Sequence, residues 1–600
     1  MKTLLLTAAL AAATAAPALN TLKYNHIGYL PDDLKAVVYM GATPVSDLTF
    51  SLTDAAGHAV AIDSVVTQTP WAPMAAAARV YWSSATAPGP YTLTVSGADG
   101  RVIDTAALYV GADAYSRHAL HEMPLYYMRQ QRCGYNPVHR ARCHVHDGRL
   151  VLAGDLTGTH IDVTGGWHDA SDYLQYLTTS ANAVYQMLFA YSQAPQVWGD
   201  SFDAAGLPGA NGVPDILDEA RWGLDWMLRM NPNDSLFLNQ IADDRDHRFA
   251  GAPQLDNVDY GWGPGLDRPV YSCLGTPNGL GKYRNQSTGL ASSVGKFASS
   301  FGLGAEVFAD LDPDFAARLR AKSANAYRVA RANPGNCQTA STVSPYYYEE
   351  DNWADDMELA AMARYRATDS LHYLDEAVAY GRMEPVTPWM GADSADHYQW
   401  YPFVNLGHYE LARRGGRNSA EFLRNMRSGL ARVADRGQGN AFRSGIPYIW
   451  CSNNLAVALV TQAMLYRDLT GDERFRELET ATRDWLFGAN PWGQMMVILP
   501  AGLGPSPVDP HSAMSNMADV NGRSGRDCLW GGLVDGPIYT SKFKSLWGVT
   551  LRRGSDPFAE VQNDTVVYHD DYSDYSTNEP TMDGTASLTY ILSRLSAPGE

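Results

Sequence analysis

The spacing of apolar residues changes abruptly near residue 114, and this change constrains the fold more than any other feature. Before it, short segments alternate between apolar and polar residues and are separated by turn signals such as Pro88-Gly89-Pro90 and Asp99-Gly100. Such alternation is typical of β-strands. After it, apolar residues recur every three or four positions, as in helices. We therefore predict a β-sandwich over residues 20–112 and a helical domain over residues 115–597.

The helical part contains twelve candidate helices joined by long loops that are rich in Gly, Pro, Asn and Asp. Pairs of helices arranged in a ring, an (α/α)6 barrel, account for this number. A helical solenoid is the alternative, but no repeat of fixed period is visible. The predicted helices cover residues 116–130, 171–193, 214–230, 288–309, 312–332, 355–368, 371–381, 402–413, 418–434, 452–468, 473–487 and 580–595.

Residues 1–18 have the pattern of a secretory signal peptide. Met1 and Lys2 precede an apolar run from Leu4 to Ala13 and small residues up to Ala18, and this run is too short for a transmembrane anchor. Since no other stretch approaches the length of a membrane span, we expect a secreted protein, periplasmic or extracellular, without membrane insertion. The formal net charge of −19 and the lack of a Lys/Arg cluster argue against a nucleic acid partner.

Two acidic residues follow a Gly-Gly turn in the segment GGWHDASDYLQY. Asp169 and Asp172 are three residues apart where this turn is predicted to open a helix, so both carboxylates would lie on one helical face. A helix N-terminus stabilises ionised carboxylates, and two of them together can hold and deprotonate one water molecule. The alternative is that Asp169 caps the helix while Asp172 is solvated.

A second acidic segment, VVYHDDYSDYSTNEPTMDGTASL, precedes the last predicted helix. Its acidic residues are Asp570, Asp571, Asp574, Glu579 and Asp583. They are interleaved with tyrosines instead of lysines, and an apolar surround raises the pKa of a glutamic acid toward the value that a proton donor needs. A solvated acidic loop is the alternative. His511, in the Pro-rich loop GPSPVDPHSAMSN, is a third candidate, although an isolated loop histidine is usually just solvated.

Several segments follow one another in a recognisable order between about residues 120 and 595. They are GGWHDASDY, NGVPDILDEARWGLDWMLRM, YRDLTGDERF, LFGANPWGQ, the pair Pro510-His511 and YHDDYSDYSTNEPTMD. Together they resemble glycoside hydrolase family 9, the cellulase group also called endoglucanase family E. Residues 20–112 are similar to the immunoglobulin-like module that precedes the barrel in one branch of that family. The resemblance implies an immunoglobulin-like β-sandwich followed by an all-α (α/α)6 barrel.

The resemblance also implies an inverting hydrolysis of β-1,4-linked glucan. The last family signature is matched by Tyr568, Asp570, Tyr575 and Glu579. By this likeness Glu579 protonates the glycosidic oxygen, Asp172 takes a proton from the attacking water, and Asp169 helps to hold that water. Asp570 and His511 would be supporting active-site residues. The acid and base of an inverting enzyme stand roughly 6.5–9.5 Å apart, which leaves room for the water.

The chain departs from the family pattern at two positions. Ala513 stands where the family usually has the arginine of Pro-His-x-Arg, and Thr585 replaces an asparagine that is common after the catalytic glutamate. We predict an endo-acting β-1,4-glucanase on cellulose, mixed-linkage glucan or xyloglucan. The departures keep open an exo-acting β-glycosidase that releases glucose, cellobiose or glucosamine. A non-catalytic carbohydrate-binding protein is a further alternative, which the presence of both acids disfavours.

The chain contains six cysteines, at positions 133, 143, 273, 337, 451 and 528. Export leads to an oxidising compartment, which favours disulfides. Cys133, Cys143 and His144 nevertheless lie shortly before His168 and form with it a set able to complete a tetrahedral zinc site. The resemblance implies a structural zinc of this composition, and also calcium, whose ligands these residues do not identify. A disulfide between Cys133 and Cys143 is the alternative.

Overall fold

The computed structural model describes residues 21–546 and 548–597, so the predicted signal peptide lies outside the described residues. Two antiparallel sheets come first in the described residues, with strand orders β1-β2-β6-β5 and β4-β3-β7-β8. Their strands are β1 Leu22–Lys23, β2 Ala36–Gly41, β3 Leu48–Asp54, β4 Ala59–Val60, β5 Ser64–Gln68, β6 Ala76–Tyr81, β7 Gly89–Gly97 and β8 Val102–Val110. Buried residues of both sheets form one core, which includes Val37, Trp82 and Leu93. The predicted sandwich is confirmed.

Thirteen α-helices follow within the described residues. They are α1 Met123–Gln131, α2 Leu177–Gln193, α3 Asp215–Met230, α4 Ala291–Val307, α5 Pro313–Ala332, α6 Ala354–Thr368, α7 Leu371–Met383, α8 Leu406–Arg413, α9 Ser419–Gly437, α10 Ser452–Thr470, α11 Arg476–Leu486, α12 Thr540–Ser545 and α13 Met582–Ser596. Every predicted helix is present, and the short α12 is an addition.

Six of these helices form a closed inner ring, in the order α2, α4, α6, α8, α10 and α13, with α13 packing against α2. Each inner helix has an outer partner, respectively α3, α5, α7, α9, α11 and α1. The division into inner and outer helices follows from the sequence. Nearly all of α4 is buried, whereas α9 buries only one stripe that includes Phe422, Met426 and Val433, as expected of a helix with one apolar face. The predicted (α/α)6 barrel is confirmed.

The start of α2 differs from the prediction. We expected a helix from residue 171, but α2 begins at Leu177 because Gln175 and Tyr176 pair as a strand with Ile241 and Gln240. The prediction that Asp169 and Asp172 share a helical face is therefore wrong. Both residues lie in the loop before the helix. The first predicted helix, 116–130, likewise begins only at Met123, after two short 3-10 turns.

In the part of the chain that the structure describes, eleven short strands, which we did not predict, lie in the loops of the barrel. They are β9 Gly134–Asn136, β10 Ala141–Cys143, β11 Arg149–Leu152, β12 Asp155–His160, β13 Gln175–Tyr176, β14 Leu238–Ile241, β15 Pro269–Ser272, β16 Leu533–Val534, β17 Ile538–Tyr539, β18 Val566–Val567 and β19 Pro580–Thr581. Five of them form one sheet, in the order β12-β11-β15-β14-β13. Because β13 and β14 are paired within this sheet, the loop segments next to these two strands have fixed positions. In the described part of the chain, no helix combines the length and apolar character needed to cross a membrane.

Buried charged groups join the sandwich to the barrel. Arg483, on α11, donates from Nη1 to Oδ2 of Asp33 at 2.9 Å, and Arg476 also approaches the same carboxylate. Asn25 donates from Nδ2 to Oδ1 of Asp484 at 2.8 Å. Because burying an ionised carboxylate is costly unless it is paired and hydrogen-bonded, these contacts favour this packing of the two parts.

Candidate active site and metal centre

Three segments that each precede an inner helix meet at one end of the barrel. The segment before α2 contains Asp169, whose backbone carbonyl accepts a hydrogen bond from the N–H of Met582, the first residue of α13, at 2.9 Å. The segment before α6 contains Tyr348, whose hydroxyl donates to the carboxylate of Asp169. The closed ring thus brings together acidic residues from opposite ends of the helical domain.

Glu579 lies directly beside the segment that contains Asp172. The backbone N–H of Ser171 donates to Oε1 of Glu579 at 3.0 Å, across 408 positions of sequence, and the Ser171 hydroxyl donates to the same oxygen. Loss of hydration raises the pKa of Glu579; the positive charge of His511 opposes this shift and the negative charge of Asp172 adds to it. A carboxyl group with a raised pKa retains its proton at higher pH, as a proton donor requires.

Asp172 faces a histidine that we did not predict. Its Oδ1 accepts the backbone N–H of Leu174 at 3.0 Å, and its Oδ2 lies 3.6 Å from Nε2 of His247. Partial loss of hydration disfavours the charged imidazolium, but the nearby Asp172 outweighs it and raises the pKa of His247 to about 9. At neutral pH a positively charged His247 therefore faces the side chain of Asp172.

Asp169 is more deeply buried than Asp172, with 2% of its surface exposed. Its Oδ1 accepts from the Thr179 hydroxyl at 2.5 Å, and its Oδ2 accepts from Tyr348. Burial, followed by the charges of Asp583 and Asp172, raises the pKa of Asp169 well above its usual range. Asp169 is thus held by two hydroxyl donors behind Asp172.

Asp570 and His511 both contact Asn578, the residue before Glu579, but differ in their other contacts. Asp570 is buried, and its Oδ2 and Oδ1 accept the backbone N–H groups of Val508 and Asp509, each at 2.9 Å. It therefore ties the His511 loop to the last signature. His511 donates its backbone N–H to the carbonyl of Asn578 at 2.9 Å and is close enough for its charge to act on Glu579.

Sequence reasoning also missed Asp535, which lies beneath Glu579. The backbone N–H of Asp535 donates to the carbonyl of Glu579 at 2.9 Å, and its carboxyl group accepts from Cys451 Sγ at 3.2 Å and from Trp450 Nε1 at 3.1 Å. Burial and then the charge of Glu579 raise the pKa of Asp535 well above its usual range. The indole of Trp450 also lies 5.8 Å, between ring centroids, from Tyr575. These two rings offer an aromatic surface near the acids.

The four predicted metal ligands lie together. Their ligand atoms are all within 4.8 Å of one another in the set Cys133, Cys143, His144 and His168. The two histidine nitrogens are 3.3 Å apart, and the sulfur–nitrogen pairs Cys133–His144 and Cys143–His168 are 3.5 Å and 3.9 Å apart. Tetrahedral coordination with ordinary metal–sulfur and metal–nitrogen bonds puts such nitrogen pairs about 3.3 Å apart and sulfur–nitrogen pairs about 3.5 Å apart. The set could therefore hold a metal ion.

The cysteines separate into three kinds. Cys133 and Cys143 are free thiols, so the disulfide that we considered between them is not formed. Cys273 and Cys337 form a disulfide, which links the end of β15 to the segment after α5. The remaining free and buried cysteines are Cys451 and Cys528.

Comparisons with known proteins agree with this architecture. The family described as glycosyl hydrolase family 9 matches residues 117–592, and the cellulase N-terminal ig-like domain matches residues 19–99. The solved structure of AaCel9A in complex with cellobiose-like isofagomine superimposes with a TM-score of 0.71 at 20% identity, covering 96% of this chain and all of that one.

Curated relatives include Endoglucanase C of Cellulomonas fimi, which is 27% identical over 457 residues and covers 73% of this chain. Cellulose 1,4-beta-cellobiosidase of Acetivibrio thermocellus is 26% identical over 485 residues and covers 72% of this chain. The aligned regions span 38% and 49%, respectively, of the lengths of those two proteins.

Proposed function

We propose that this chain, which belongs to glycosyl hydrolase family 9, hydrolyses β-1,4-linked glucan with inversion at the anomeric carbon. The observation that carries the proposal is the hydrogen bond from the Ser171 N–H to Glu579, at 3.0 Å, because it places the proposed proton donor beside the residue that precedes Asp172, the proposed base. The relatives named above are an endoglucanase and a cellobiosidase, which is consistent with a glucan substrate.

In the proposed reaction, Glu579 donates its proton to the glycosidic oxygen while the bond from that oxygen to the anomeric carbon breaks. Asp172 takes a proton from a water molecule, whose oxygen attacks the anomeric carbon from the opposite face. Asp169 helps to orient that water. The product has inverted configuration, Glu579 is left ionised, and Asp172 is left protonated until both exchange protons with solvent.

The electrostatics of the two acids support this division of roles. The raised pKa of Glu579 keeps its proton available, while the positively charged His247 lies 3.6 Å from Asp172. In this account, His511 and Asp570 are supporting residues: His511 through its charge on Glu579, and Asp570 by holding the loop that contains His511.

We propose endo action, with an exo-acting β-glycosidase as the alternative, since one relative is named a cellobiosidase. The test is hydrolysis of defined β-1,4 and mixed-linkage glucan oligosaccharides with products identified, together with the viscosity of hydroxyethyl cellulose. Internal cuts lower viscosity early relative to the number of reducing ends, whereas exo action lowers it slowly. If no glucan or oligosaccharide in the panel is cleaved, the proposed function is wrong and a carbohydrate-binding protein is favoured.

We also propose that the metal is zinc. Two thiolates and two imidazoles are a donor set that zinc prefers, and Asp256 Oδ2 lies 3.0 Å from Nε2 of His144, where it can orient that ring as an outer-sphere partner. Bound zinc would supply a structural cross-link between residues 133–144 and His168. Because His168 directly precedes Asp169, this cross-link would fix the loop that contains both proposed water-binding carboxylates.

Finally, we propose that the protein is exported through the signal sequence in residues 1–18. The disulfide between Cys273 and Cys337 supports an oxidising compartment. The test is mass spectrometry of the N-terminus of protein recovered from the periplasm or the medium. Cleavage close to Ala18 is expected, and protein found only in the cytosol with an intact Met1 would contradict export.

A further inference from the structure

An open groove of about 680 Å³ runs along the outside of the barrel, between the outer helices α5 and α7. It is separate from the site of Glu579 and Asp172, which lies at one end of the ring. The aromatic and charged side chains that line it include Tyr327, Arg328, Arg331, Tyr373, Glu376 and Tyr380. Its volume is in the range of ligand-binding clefts.

Two partly exposed tyrosines are spaced along one wall of this groove. Tyr373 and Tyr380 are seven residues apart on α7, so they lie on the same helical face, about 10.5 Å apart along its axis. That spacing is comparable to the length of two sugar units in an extended β-1,4-linked chain. Tyr327 is buried and contacts Tyr373 edge-on, with 5.4 Å between ring centroids, and so restrains that ring. Phenol rings can stack on sugar faces and hydrogen-bond hydroxyls.

A polar cluster lies between the two aromatic rings. Oε2 of Glu376 accepts from the Tyr327 hydroxyl at 2.7 Å, and its Oε1 accepts from Nε of Arg331 at 2.5 Å. The guanidinium groups of Arg328 and Arg331 are exposed, and the carboxylate of Glu376 pairs with the guanidinium of Arg331. This surface offers both donors and acceptors, and its charged groups Arg328, Arg331 and Glu376 leave a net charge of only +1, which permits a neutral polyhydroxylated ligand.

One end of the groove reaches the end of the barrel where the acids lie. The ring of Tyr380 is 6.0 Å from that of Trp353, and Trp353 directly precedes the inner helix α6. The segment just before Trp353 contains Tyr348, which donates to Asp169. A chain lying in the groove would therefore leave it at the end of the barrel where Asp169 lies.

We infer that this groove is a second binding site for a neutral β-glucan chain, which holds the polymer on the outside of the barrel and directs it to the cleft. The ligand class rests on the proposed function. A site of this kind should increase affinity for polymers, which reach both sites, without affecting oligosaccharides that fill only the cleft.

The test measures retardation of the full chain in gels containing hydroxyethyl cellulose, with Glu579→Gln in every protein to prevent cleavage. Tyr373→Ala removes one ring, and Ala379→Arg fills the groove from an exposed position without removing any packing. Each should weaken the apparent affinity roughly three- to tenfold. The control, Ala367→Arg, places the same side chain at the exposed far end of α6 and should change nothing.

The same substitutions with Glu579 intact should leave the turnover of cellotetraose unchanged. Parental affinity in both groove variants would overturn the inference, as would a larger loss of retardation in polygalacturonate than in hydroxyethyl cellulose. A loss of cellotetraose turnover as large as the loss of polymer affinity would also overturn it, because the substitutions would then act only through folding. Failure of the unsubstituted chain to cleave any β-glucan would count against the proposed function alone, since binding is measured in the inactive background.

Discussion

Oε1 of Glu579 accepts the backbone N–H of Ser171 at 3.0 Å, which fixes a carboxyl group from the last loop one residue away from Asp172. Ser171 belongs to the loop before α2, and Glu579 to the loop before α13. Since α2 and α13 are neighbours in the inner ring, closure of the barrel is what brings the two acids together. The proposed chemistry therefore depends on the complete ring.

Removing either acid should abolish most of the activity. Glu579→Gln and Asp172→Asn should each lower kcat on a β-1,4-glucan oligosaccharide by about 10²–10⁴-fold, because each removes one proton transfer. Steady-state kinetics and circular dichroism check this, with Asp564→Asn, at a fully exposed side chain, as the control. Near-normal turnover by either variant would show that its assigned role is wrong.

The pH dependence should reveal the charges around Glu579. An acid catalyst works while protonated, so its pKa sets the alkaline limb of kcat/KM. Loss of hydration raises this pKa, the charge of His511 lowers it, and that of Asp172 raises it. His511→Gln should therefore move the limb to higher pH, and Asp172→Asn should move the limb of the residual activity to lower pH. Identical limbs in the two variants and the parent would contradict this coupling.

Metal analysis should find one zinc per chain in protein purified without chelator. Cys133→Ser should lose the metal and lower the melting temperature, because the loop before Asp169 would lose its cross-link. Cys528→Ser is the matched control, since Cys528 is also a buried free thiol but lies outside the ligand set. Zinc content that is absent from the parent, or equal in both variants, would contradict the assignment.

The contact between sandwich and barrel should contribute measurably to stability. Asp33→Asn breaks the buried pair with Arg483 and should lower the free energy of unfolding by about 3–5 kcal/mol; Asp32→Asn, at the exposed neighbouring position, is the control. Burial opposes ionisation of Asp33, but Arg483 outweighs it and lowers the pKa of Asp33.

A lowered carboxyl pKa stabilises the fold above the unfolded value and ceases to do so as the pH falls through the folded one. The difference in the free energy of unfolding between the parent and Asp33→Asn should therefore reach its full value above about pH 4 and should shrink in more acidic solution. Chemical denaturation at several pH values measures it. A difference that grew on acidification would contradict the ion pair.

The sequence predicted the long, periodic elements well and the short ones poorly. Strand β7 alternates buried Tyr91, Leu93 and Val95 with more exposed residues, and this period is visible without a structure. Strands β13 and β14 have two and four residues and hardly show a period. These two strands pair only because the fold brings residues 175–176 next to residues 240–241, and local sequence does not show such a contact. The predicted start of α2 was therefore too early.

The same distinction applies to the candidate site. Asp172 and Glu579 lie in segments whose composition is unusual, and both could be selected from the sequence. His247 and Asp535 stand in segments without such a signal, and only their contacts with Asp172 and with the backbone of Glu579 identify them. Residues that act through a tertiary contact leave little trace in local sequence.

The configuration of the first product tests the central claim most directly. Proton NMR during early hydrolysis of a β-1,4-glucan oligosaccharide separates the α and β anomers before they equilibrate. If water activated by Asp172 attacks opposite the bond that Glu579 protonates, the new reducing end appears first as the α anomer. A first product of β configuration would contradict the account.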